Sequence, residues 1–110
     1  MSDAEATWPN DADGGVFRRM LESGFDFSGE WSVDFSVDFY SWPPAPEALA
    51  LLRAGYGEVR VFKPTADFNG YLEFQVVGKV TYEGVTSVQR KVSAQMEPFG
   101  GICETWGVMH

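Results

Sequence analysis

The chain has 110 residues, of which 45% are hydrophobic and 15% aromatic, and a formal net charge of −8 at pH 7. That apolar content supports one domain with its own core and is too high for a disordered acidic chain. The single cysteine, Cys103, excludes a disulfide within the chain, the acidic balance disfavours nucleic acid and anionic membrane as partners, and the longest apolar run, ALALL over residues 48–52, is far too short to cross a bilayer.

The charge is one-sided. Ten of the sixteen acids, but only two of the eight bases, lie in residues 1–47. Such a field attracts a basic partner, although solubility alone also accounts for it. Residues 1–10 are polar around Trp8 and Pro9 and read as a flexible leader. They have no basic region and no apolar run of the kind a signal peptide carries. A reducing, cytoplasmic compartment fits the lone cysteine. One domain is expected over residues 11–110.

A first helix is predicted to begin near Asp11 or Asp13, where an aspartate caps free amide groups and suits the positive helix end. Val16, Phe17, Met20 and Leu21 recur at helical spacing, and Gly24 stops the helix. From residue 31 to 40 the period becomes two. Trp31, Val33, Phe35, Val37 and Phe39 point one way; Ser32, Asp34, Ser36, Asp38 and Tyr40 point the other. WPPAP ends that strand, and a second helix is predicted over residues 46–54, with Pro46 in its first turn and Gly55 ending it. EVRVF (58–62) and YLEFQVV (71–77) alternate as strands, with a turn over 64–70 between them. Val85, Val88, Val92 and Met96 make a helical stripe, closed by Pro98, Gly100 and Gly101. ICETWGVM (102–109) is the last strand.

After its first helix the chain therefore reads strand–helix–strand–strand–helix–strand. Two split units of this kind build an α+β, ferredoxin-like sandwich: a four-stranded antiparallel sheet with two helices on one face. Right-handed crossovers set the first and third strands in its centre. The N-terminal helix is an addition outside that core.

DGGVFRRMLESGFDFS (13–28), VDFSVDFY (33–40), LALLRAGYGEVRV (49–61) and FGGICETWG (99–107) occur in this order along nearly the whole chain. In order and spacing the chain resembles the regulator of ribonuclease activity B family. The resemblance implies a ferredoxin-like regulator without catalysis of its own, which binds ribonuclease E and slows messenger RNA decay. The chain reads ETWG where the family usually has aspartate–glycine before WG, and the three residues that follow Gly107 in this sequence, Val108 to His110, carry no acid where family members tend to have an acidic tail.

The residues themselves give catalysis little to work with. Asp34 and Asp38 are four apart on one strand, so their α-carbons are roughly 13 Å apart at ~3.3 Å per residue. Glycosidase carboxyl pairs are ~5–9.5 Å apart. Cys103 and His110 are single residues of their types, and His110 is the chain terminus, which does not favour a nucleophile–base pair. No set of metal ligands converges, DADGG lacks the glutamate of an EF-hand, and no phosphate-binding glycine loop occurs. No catalytic residue, metal or cofactor is assigned.

The expected site is a protein-binding surface formed by Asp34, Asp38, Glu73, Glu104 and Trp106. Alternation sends Asp34, Asp38, Glu73, Gln75, Glu58 and Arg60 to the open sheet face. The last strand is ambiguous: one parity sends Glu104 and Trp106 outward and keeps Cys103, Thr105 and Gly107 inside, whereas the other packs Trp106 in the core or under the first helix. With the indole outward, the face suits an arginine-rich segment, its carboxylates taking the guanidinium fork and the ring its plane. Direct RNA binding is disfavoured because Arg60 is the one base on that face. The expected partner is a basic protein segment, as in a ribonuclease E-like endonuclease. The alternatives are a small interaction module with an unrelated partner and an enzyme with a small-molecule pocket. The oligomeric state is left open.

Overall fold

The computed structural model describes residues 8–67 and 69–108. In chain order its elements are α1 (Ala12–Glu22), β1 (Trp31–Phe39), α2 (Pro46–Tyr56), β2 (Val59–Phe62), β3 (Tyr71–Gly78), α3 (Tyr82–Met96), a 3-10 turn (Glu97–Phe99) and β4 (Gly101–Val108). The strands form one antiparallel sheet in the order β2-β3-β1-β4. The first and third strands are central, and the architecture is the predicted ferredoxin-like α+β fold preceded by a helix. Among the described residues, no helix is long and apolar enough to cross a membrane.

The ends of α1 follow from its sequence. The Asp11 carboxylate accepts a hydrogen bond from the Gly14 N–H at 2.7 Å. At the other end Gly24 takes φ +85°, a left-handed conformation open to glycine at no steric cost. The chain then turns back so that the Phe25 N–H donates to the Met20 carbonyl and the Gly24 N–H to the Leu21 carbonyl, at 3.0 and 3.1 Å. Phe25 and Met20, the two positions whose apolar side chains accompany such a cap, are both buried in the core.

The second helix runs further than predicted. Gly55 lies inside α2, and the stop is Gly57, whose φ of +84° marks the left-handed position and whose N–H donates to the Arg53 carbonyl at 2.9 Å. The added turn sets the Tyr56 ring on Phe74 of β3, with centroids 4.2 Å apart. Pro46 occupies the first turn as expected. The Thr81 hydroxyl caps α3 by accepting from the Gly84 N–H at 3.0 Å.

One sheet face supplies the core. Val33, Phe35, Val37 and Phe39 of β1, Leu72 and Phe74 of β3 and Val59 of β2 are buried with Ala48 and Leu52 of α2 and Val85, Val92 and Met96 of α3. Phe35 and Phe74 are register partners whose rings stack at 5.5 Å. Fully burying side chains of this size stabilises the fold by ~1.5–3 kcal/mol each before the entropy of ordering them is counted.

The added helix is part of this core. Phe17 of α1 has no exposed surface, and its ring lies 5.2–6.1 Å from those of Trp8, Phe27, Tyr82 and Trp106. The Tyr82 hydroxyl donates to the second Asp11 oxygen at 2.6 Å. The last residues of the expected leader are held as well, since Arg18 donates to the Trp8 and Pro9 carbonyls at 3.4 and 3.2 Å. Residues 1–7 of that leader lie outside the described residues.

Candidate functional site

In an antiparallel sheet, paired residues point to the same face. The register therefore arranges the outer face in rows. Gln75 pairs with Asp34, and Asp34 with Gly107. Arg60 pairs with Glu73, Glu73 with Ser36, and Ser36 with Thr105. At one end of the sheet Phe62 pairs with Tyr71, Tyr71 with Asp38, and Asp38 with Ile102. Asp34, Asp38 and Glu73 thus share the outer face, together with Arg60.

The charges there are partly satisfied among themselves. The Arg60 guanidinium lies 2.6 Å from a Glu73 carboxylate oxygen and 3.9 Å from one of Asp34. Gln75 donates to the same Asp34 oxygen at 2.6 Å. At half-exposed positions such pairs stabilise weakly, by ~0–1 kcal/mol, and their main effect is to hold the two carboxylates in place.

Trp106 is not on this face. Between the pairs Asp38–Ile102 and Ser36–Thr105 the ladder shifts, and Cys103 and Glu104 together stand opposite the single residue Val37. The extra residue of this bulge reverses the alternation beyond it. Trp106 consequently pairs with Phe35 and turns inward, while Thr105 and Gly107 take the outer positions. The indole packs on Phe17, and its N–H donates to Asp13 Oδ1 at 3.0 Å. The expected outward Trp106 is corrected by this bulge. Cys103 faces inward as expected, and Glu104 is exposed at the bulge on the edge strand.

Helix α3 supports the bulge. Ser93 Oγ accepts from the Cys103 N–H at 2.9 Å and donates to the Cys103 carbonyl at 3.3 Å. Gln89 Nε2 donates to the Glu104 carbonyl at 2.9 Å. Backbone groups that the irregular ladder leaves unpaired are thereby satisfied, which a buried bulge requires. No sequence motif marks this arrangement, because Gln89 and Ser93 read as ordinary polar positions of a helix.

Beside the bulge, an open cleft of about 300 Å³ lies between the start of α1, α3 and β4. Its lining includes Asp13, Arg90, Cys103 and Glu104. The Asp13 carboxylate is engaged by the Trp106 indole. Burial, assisted by the negative charge of Asp38, pushes the Cys103 thiol up to about 12, so it stays protonated at neutral pH and is no nucleophile there. Among the described residues, no group of three His, Cys, Asp or Glu side chains is placed to hold a metal ion. His110 lies outside the described residues.

Comparison with curated proteins and with solved structures gives no match. Comparison with protein families gives one that spans the fold: the model described as regulator of ribonuclease activity B matches residues 10–108, from the Asp11 cap to the end of β4. On a match of that length, the chain belongs to the regulator of ribonuclease activity B family.

Proposed function

We propose that this protein regulates a ribonuclease E-like endonuclease by binding it, with the outer face of the sheet meeting a basic segment of the enzyme. The observation that carries the reading is family membership: the family consists of regulators of ribonuclease activity and is not a catalytic one. Three further features support it. The chain carries a net charge of −8. Asp34, Asp38 and Glu73 share one open face with a single guanidinium. In the cleft beside the bulge, Asp13, Gln89 and Ser93 are engaged in hydrogen bonds and the Cys103 thiol is held protonated. Complementary charge of this kind steers encounter and selects partners more than it sets affinity.

Calorimetric titration with the arginine-rich segment of the endonuclease tests the reading, alongside RNA cleavage by the enzyme with and without this protein. Binding is expected at low salt, weakening as salt is raised, together with slower cleavage. Absence of binding at low salt refutes the reading. An Asp34→Asn/Asp38→Asn variant is expected to bind more weakly; unchanged affinity would move the contact to another surface and leave the function standing.

A further inference from the structure

The three carboxylates of the outer face are not equivalent. Asp34 and Glu73 share the Arg60 guanidinium, and Asp34 also accepts from Gln75. Asp38 has no hydrogen-bond or ion-pair partner among the described residues, although it is half-buried. Its neighbours in the row are Tyr71 on one side and Ile102 on the other. Beyond Tyr71 lies Phe62, and the two rings stack with centroids 4.6 Å apart and planes 11° from parallel. Tyr40, two residues along the chain from Asp38, is 88% exposed.

A carboxylate bordered by apolar groups is partly desolvated, which strengthens its attraction to a cation brought beside it. A flat ring next to that carboxylate suits one cation in particular. Guanidinium lays its plane on an aromatic ring and directs its N–H fork to a carboxylate. The ammonium of lysine satisfies the charge but not the plane. A nucleic acid could stack its bases on the same rings, but Asp38 opposes its phosphates. A second copy of this chain docked on the face would bring acid against acid.

We infer that Phe62, Tyr71 and Asp38 form an arginine subsite at the end of the sheet, which takes a guanidinium of the bound basic segment onto the ring pair and against the free carboxylate. The inference rests on the binding reading above and adds a chemical selectivity to it: arginine in preference to lysine. The stacking platform assigned to an aromatic of the last strand is supplied instead by the second and third strands.

Titration of the full chain with an arginine-rich peptide, its all-lysine counterpart of equal length and charge, and a single-stranded RNA oligonucleotide tests it. The arginine peptide is expected to bind about tenfold more tightly than the lysine peptide, within the roughly 2–30-fold range of a partly desolvated cation–ring contact. Asp38→Asn and Tyr71→Leu are each expected to weaken the arginine peptide by about three- to tenfold and to erase most of the preference. Far-UV circular dichroism checks that each variant folds, and Phe62→Leu replaces Tyr71→Leu should the latter fail. Equal binding of the two peptides, or a preference that survives in the variants, overturns the subsite while the binding reading stands. Failure of both peptides to bind overturns both. RNA binding more tightly than either peptide also overturns the subsite.

Discussion

Replacing Phe17 with alanine asks whether the N-terminal helix belongs to the domain or merely decorates it. The ring has no exposed surface and touches four other aromatic rings, from the segment before α1, the loop after it, α3 and β4. Truncating a fully buried phenylalanine costs ~3–5 kcal/mol in transfer and cavity terms. A domain of this size is stable by ~5–15 kcal/mol, so Phe17→Ala should remove a large share of the total. The loss has a ceiling: if α1 undocks in the variant, the cost cannot exceed the docking free energy of that helix. Urea unfolding, followed by far-UV circular dichroism and by tryptophan fluorescence, separates the cases, because Trp8 and Trp106 both lie against Phe17. A single coincident transition shifted by about 3 kcal/mol or more is expected. Leu51→Ala, at a position 43% exposed on α2, is the control and should stay within about 0.5 kcal/mol. A Phe17→Ala cost below about 1 kcal/mol would refute the view that α1 is part of the cooperative core.

Cys103 should react with alkylating reagents far more slowly in the native chain than in urea, because its thiol is buried and held protonated. Its folded value of about 12 lies above the ordinary 9.0, so the unfolded chain ionises first. The associated stability is full below 9.0 and is lost as pH rises toward about 12, and a Cys103→Ala variant should show a shallower alkaline decline. At the other end of the scale, the Tyr82 hydroxyl and the Gly14 N–H hold the Asp11 carboxyl below its ordinary 3.8. That contribution is present above 3.8 and lost as pH falls through the folded value. The melting temperature of Asp11→Asn should accordingly lie below the parent's at pH 7 and converge with it in acid; a constant gap would show that the charge plays no part.

Local patterning carried most of the architecture. The period-two run through VDFSVDF settled which residues of β1 build the core, and the same alternation put Asp34, Asp38, Glu73 and Arg60 on one face before any strand was paired. Asp11 and Gly24 bounded α1 because capping depends on a few neighbouring backbone groups. Gly55 misled for the converse reason: either glycine of GYG could end α2, and the contact of Tyr56 with Phe74, distant in sequence, favoured the later one.

The remaining features depend on pairings between segments distant in the chain. ICETWGVM reads equally well in two parities, and the choice was made by Val37 standing opposite two residues, with Ser93 and Gln89 of α3 satisfying the backbone there. That one extra residue turned Trp106 from an expected surface ring into the partner of Phe17 and Asp13, and so anchored α1. The row from Phe62 through Tyr71 and Asp38 to Ile102 exists only because register aligns four strands. Which side chains are wet or dry along a regular strand is legible in the order of residues, since alternation is a local property of the backbone; which of them meet across the sheet follows from pairing, because register and bulges depend on the partner strand.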